Sequence, residues 1–149
     1  MADTIAAIAT AQGRSGIAVI RISGPNATEY IEKLAPGSNL KPRNATLRTL
    51  LDPQTSEAID NVILTYFKAP HSYTGEDVIE ISTHGSPVIL RQILDCLLAL
   101  GARAAGPGEF TLRAVATGKI DLTQAEAIRD LINAQTKASA RLALRQMKG

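Results

Sequence analysis

The sequence predicts a two-layer α+β domain, with a mixed sheet of about five strands and two or three helices, followed by one long C-terminal helix. Three observations carry this. Short β-branched runs such as GIAVIRIS (Gly16 to Ser23) and DVIEIST (Asp77 to Thr83) are bounded by turn-rich connections. One apolar segment, VILRQILDCLLAL, lies between Ser86-Pro87 and Gly101, the start and stop signals of a helix. After Gly118 the chain has no Pro or Gly until Gly149.

Taken in order, TIAAIAT (Thr4 to Thr10) and GIAVIRIS read as two strands joined by a Gly-containing linker, AQGRS. Pro25-Asn26 opens a short helix, ATEYIEKL, that closes before Pro36-Gly37. ATLRTLL and NVILTYF (Asn61 to Phe67) form a strand pair through the turn residues DPQTS, and DVIEIST follows the irregular APHSYTGE. The helix after Ser86 ends at Gly101. The last segment has Thr123 and Glu126 at capping-box spacing, and apolar residues at 128, 131, 132, 138 and 142 make one helical face. A helix of about 25 residues needs a packing partner, so a further domain or a partner subunit is expected to cover it.

Composition narrows the function. A chain of 149 residues holds one domain of ordinary size, or a compact domain with an extension. Its net charge of +2, from 16 basic and 14 acidic residues, is too mild for non-specific binding along a phosphate backbone. The single cysteine, Cys96, lies in the run ILDCLL and reads as a small core hydrophobe, so neither a disulfide framework nor a thiolate metal site is expected. No basic leader precedes the first strand and no apolar run approaches the ~20 residues of a membrane span, which predicts a cytoplasmic protein with no membrane contact. Two Phe, three Tyr and no Trp leave few stacking platforms for single-stranded nucleic acid. The phosphate-loop pattern GxxxxGK[ST] is absent, so this chain is not expected to hydrolyse a nucleotide by itself.

Two residues stand out from their strands. Arg21 interrupts Ile17-Ala18-Val19-Ile20-Ile22, and Glu80 sits between Ile79 and Ile81. Desolvating either charge without a partner is costly. By alternation Arg21 shares a face with Val19 and Ser23, and Glu80 with Val78 and Ser82. The pattern is equally consistent with a structural Arg21–Glu80 ion pair and with two groups lining a concavity for a polar ligand. His84 precedes the helix start at Ser86, a place for a capping or loop residue or for a ligand near free backbone N–H groups. His71, with Asp77 and Glu80, makes no recognisable metal-ligand pattern, and no metal site is expected.

DTIAAIATAQGRSGIAVIRISGP, PHSYTGEDVIEISTHGSPVIL and PGEFTLRAVATGKIDLTQAEAIRDLINAQT resemble, in order and spacing, the N-terminal part of the MnmE (TrmE) family of tRNA-modification GTPases. The resemblance covers nearly the whole chain. It implies a tetrahydrofolate-binding and dimerisation domain over 1–118, like the folate domain of aminomethyltransferases, and over 119–149 the first helix of a helical domain. The implied function is modification of C5 of the wobble uridine of tRNA, of the carboxymethylaminomethyl type, with the reduced folate supplying a one-carbon unit. The implied cofactor is 5-formyltetrahydrofolate or 5,10-methylenetetrahydrofolate; GTP, magnesium and potassium belong to a GTPase domain that this chain lacks. The implied partners are a second copy, the FAD-dependent protein MnmG (GidA), and tRNA.

The family's folate contacts fall on Arg21, Glu80 and Lys119. The resemblance assigns them binding roles and no catalytic role. A carboxylate such as Glu80 matches the aminopyrimidine edge of a pterin with two hydrogen bonds, while glutamate-tail, formyl or carbonyl oxygens suit Arg21 and Lys119. The chain departs from the family at Ser86, at Gly106 and in the run VATGK; the first two do not touch the three contacts, and the third keeps Lys119. Two other readings stay open: a free-standing aminomethyltransferase-like folate enzyme, and a structural module that only dimerises.

Overall fold

The computed structural model describes residues 3–10, 16–131, 133 and 134. Six strands form one sheet in the order β3-β4-β5-β2-β1-β6. They are β1 (Ile5–Ile8), β2 (Ile17–Ser23), β3 (Ala45–Leu51), β4 (Ala58–Phe67), β5 (Val78–His84) and β6 (Arg103–Ala104). Every neighbouring pair is antiparallel except β1 and β6, which run parallel and make the sheet mixed. The two-residue β6 is too short to carry a period, which is why the sequence shows only about five strands.

Helices α1 (Ala27–Leu34) and α2 (Pro87–Leu100) cover one face of the sheet. The core there is Ile20 and Ile22 of β2, Val62 and Leu64 of β4, Ile79 and Ile81 of β5, and Ile31, Leu34, Ile93 and Leu97 of the helices, all essentially buried. Cys96 is half-buried against this cluster, and burial pushes its thiol up, so it stays protonated at neutral pH. The boundaries of α2 follow its local chemistry: Ser86 Oγ accepts from the Ile89 N–H, Pro87 fills the first turn, and Gly101 at φ 124° lets its N–H return to Leu97 and Leu98.

Alternation sends Val19, Arg21 and Ser23 to the opposite face. That face is met at its β1 end by helix α3 (Glu109–Ala116) and the loop 71–77. A further helical segment runs over 122–131 and includes 133 and 134. Its start differs from the expected capping box at Thr123 and Glu126. Asp121 Oδ1 accepts the Gln124 N–H at 2.7 Å and Gln124 Oε1 accepts the Asp121 N–H at 3.0 Å, so the reciprocal cap lies two residues earlier. An aspartate followed three residues later by glutamine satisfies the same rule. Of the expected apolar face, Ile128 is half-buried and Leu131 exposed, while 132, 138 and 142 lie outside the described residues. No described helix is long and apolar enough to cross a membrane.

Candidate functional site

Antiparallel pairing of β2 and β5 sets Arg21 directly opposite Glu80. Glu80 Oε2 accepts two hydrogen bonds from the guanidinium, from Nε at 3.0 Å and from Nη2 at 2.8 Å. Both side chains keep about a quarter of their surface in solvent, 28% and 27%. The pair therefore exists as a structural contact, but it spends only part of either group. Arg21 Nη1 and one Nη2 N–H, and the second oxygen of Glu80, have no hydrogen-bond partner among the described residues.

Arg21 lines a cleft of about 500 Å³, within the range of sites that bind a small molecule. The small side chains Ala7 of β1 and Ala9 just beyond it leave its width, and Ala105 to Gly108, Phe110, Thr111 and Tyr73 line the rest. The Arg21 guanidinium carbon lies 5.7 Å from the centre of the Tyr73 ring and 5.6 Å from that of Phe110, within cation–π range of both. Glu80 is not itself among the residues lining this cleft and is joined to the site through its hydrogen bonds with Arg21.

The walls are tied together by a polar network centred on Arg113 of α3, whose side chain is only 4% exposed. Its Nη2 reaches Asp3 Oδ1 at 2.6 Å, its Nη1 reaches Glu76 Oε1 at 3.0 Å, and Glu109 lies at 3.3 Å. Glu76 also accepts from Ser23 Oγ at 2.8 Å. Burial works against the Arg113 charge, but the hydrogen bonds and charges of Glu76 and Asp3 together outweigh it, so its pKa is raised. Arg103 completes the network with ion pairs to Asp3 and Glu109; chiefly through the Arg103 hydrogen bond, Glu109 is held down to about 2. Three regions distant in sequence, at residues 3, 76 and 103–113, thus meet on two guanidinium groups.

Lys119 does not join Arg21 and Glu80. It is exposed in the turn after α3, where its backbone N–H donates to Ala114 O at 2.8 Å, and it is not among the residues lining the cleft. His84 also lies elsewhere: its Nδ1–H donates to Asp60, 2.9 Å from each carboxylate oxygen. Burial pushes Asp60 up, but hydrogen bonds from Thr83 and His84 outweigh it and leave its carboxyl below the usual range. Among the described residues no group of three or more His, Cys, Asp or Glu side chains could hold a metal ion.

Sequence reasoning passed over Tyr73, Phe110 and Arg113. Tyr73 and Phe110 are two of only five aromatic residues in the chain, a scarcity that could have singled them out. Arg113 carried no such signal, because in FTLRAVA it reads as an ordinary solvent-facing position of a helix.

The family model described as GTP-binding protein TrmE N-terminus matches residues 4–119. Curated relatives match nearly the whole of this chain. A tRNA modification GTPase MnmE of Koribacter versatilis (strain Ellin345) is 50% identical over 99% of this chain. Proteins of the same description from Laribacter hongkongensis (strain HLHK9) and Alkaliphilus oremlandii (strain OhILAs) are 53% and 47% identical over 100% and 99% of it. The chain spans 33% of the length of each of these three relatives.

Proposed function

This chain belongs to the family of GTP-binding protein TrmE N-termini, and from that premise we propose that it binds a reduced folate in the cleft over Arg21 and serves a GTPase that modifies tRNA. The observation that carries the folate reading is the half-used Arg21–Glu80 pair at the edge of a cleft of about 500 Å³. A reduced folate offers carbonyl, formyl and carboxylate oxygens to the unspent Arg21 donors and an aminopyrimidine N–H to the free Glu80 oxygen. The donor set fits the ligand. Lys119, exposed beyond α3, would meet the glutamate tail from outside the cleft.

In this reading the folate, as 5-formyltetrahydrofolate or 5,10-methylenetetrahydrofolate, supplies a one-carbon unit for C5 of the wobble uridine, and the residues named here bind and orient it. The boundary between the folate domain and a helical domain falls at 118/119. GTP, magnesium and potassium would bind in the part of the relatives' length that this chain does not span. MnmG and tRNA would be partners of the whole assembly in the cytoplasm.

Dimerisation is supported by the open face of the sheet. Leu47 and Ile63 stand directly opposite each other across β3 and β4, 68% and 43% exposed, and Ile17 is exposed on the same face. Apolar side chains grouped in this way suit burial against a second copy.

Isothermal titration of the chain with 5-formyltetrahydrofolate tests the central claim. Saturable binding at one site per chain is expected. Absence of heat up to high micromolar folate would leave the Arg21–Glu80 pair as a structural contact only.

A further inference from the structure

Loop 71–77 and helix α3 are built as one unit around the cleft. Tyr73 shares a hydroxyl hydrogen bond with Thr111 at 2.9 Å, Thr117 Oγ1 donates to Thr74 O at 2.6 Å, and Arg113 holds Glu76 at 3.0 Å. Each bond joins the loop to the helix. Their common result is that the Tyr73 and Phe110 rings both line the cleft, each less than 6 Å from the Arg21 guanidinium carbon.

Neither ring is used up by the core. Tyr73 is 40% exposed, Phe110 is half-buried, and both line the cleft. Tyr30 and Tyr66, by contrast, belong to the packed cluster beneath α1 and α2. Water is a poor neighbour for an aromatic face, and a rigid ring costs little conformational entropy to engage. A ligand that accepts a hydrogen bond from the unspent Arg21 Nη1 inside this cleft shares the space with both rings, which line it 5.6 and 5.7 Å from the guanidinium carbon.

We propose that Tyr73 and Phe110 form an aromatic jaw that grips a flat conjugated ring of the ligand, while Arg21 hydrogen-bonds an oxygen that the ring bears. The ligand class this selects is a planar ring carrying a carbonyl or carboxylate acceptor. The proposal rests on the folate reading of the cleft, and adds two ligand contacts that neither charge pattern nor spacing suggests. A reduced folate has two such rings, the pyrimidinone of the pterin and the aminobenzoyl ring, so the two are separated by the choice of probe.

The test is calorimetric titration of the wild-type chain and of Tyr73→Ala, Tyr73→Phe and Phe110→Leu with 5-formyltetrahydrofolate, and with 4-aminobenzoylglutamate as the tail-only probe. Far-ultraviolet circular dichroism checks that each variant is folded. Tyr73→Ala and Phe110→Leu are expected to weaken folate binding at least about fivefold, the lower end of what ring stacking contributes. Tyr73→Phe keeps the ring and is expected to stay within about threefold of wild type. Losses on the tail-only probe assign the jaw to the aminobenzoyl ring; losses on the whole folate alone assign it to the pterin. If wild type binds folate and both ring-removing variants bind within about twofold of it, the jaw is refuted while the folate site stands. If wild type binds no folate, the folate reading falls and the jaw falls with it.

Discussion

Arg21 and Glu80 face each other across β2 and β5, and both hydrogen bonds from the guanidinium, at 3.0 and 2.8 Å, land on the same carboxylate oxygen. A symmetric fork-to-fork pair would consume both oxygens and leave nothing for a ligand. This one keeps an acceptor on Glu80 and donors on Arg21. The structural contact and the binding role are therefore compatible, and the pair holds two opposite charges in place on one sheet face.

The first prediction separates the two roles. Arg21→Ala should cost no more than about 1 kcal/mol of stability, because the pair is in contact with solvent and screened. Its folate affinity should fall about tenfold or more, the scale of a lost charged hydrogen bond. Urea unfolding read beside the titration checks both; a large stability loss with unchanged affinity would make Arg21 structural.

Arg113 should behave in the opposite way. It is buried and meets Asp3, Glu76 and Glu109 within 2.6–3.3 Å. Arg113→Ala strands those carboxylates around an empty site, and removing one partner from a buried ionic cluster costs about 3–5 kcal/mol. Chemical unfolding should show that loss, and a shift below about 1 kcal/mol would mean that solvent reaches the network.

Acid should loosen the same network. The folded-state pKa of Glu109 is about 2 against an ordinary 4.5, and Asp3 is also lowered, chiefly by Arg103. A depressed carboxylate stabilises the fold fully above its unfolded pKa, and the contribution fades as pH falls toward the folded value. Stability should therefore drop from about pH 4.5 toward pH 2. Arg103→Gln should lower stability above that window and flatten the drop, because Glu109 loses the partner that depresses it. Unfolding midpoints measured through the window check this.

Gly75 makes the loop's contact with α3 possible. Its φ is +80°, and an added Cβ would come within 2.5 Å of Thr117 Oγ1 and 2.7 Å of Thr117 Cβ. Gly75→Ala combines a left-handed backbone with a clash and should destabilise the chain by roughly 1–3 kcal/mol. Folate affinity should fall as well, since Tyr73 is carried by this loop. Wild-type affinity with an unchanged unfolding midpoint would show that the loop yields without strain.

The strands were legible because half-buried and buried strands must carry β-branched runs, and β2, β4 and β5 do. Helix α2 was legible because Ser86, Pro87 and Gly101 satisfy its ends locally. The misreadings have local causes too. Asp121 and Gln124 cap the last described helix as well as Thr123 and Glu126 would, so spacing could not choose between them.

What the sequence determined by itself was the α+β class, the family, and the anomaly of one charge in each of two apolar strands. Those follow from composition, periodicity and segment identity, all of which are properties of neighbours along the chain. Only the tertiary structure decided that Arg21 meets Glu80 in register, that Tyr73 and Phe110 flank the same guanidinium, and that Arg113 is buried among three carboxylates. Register and burial depend on which distant segments pack together, and side-chain alternation along a strand leaves that choice open.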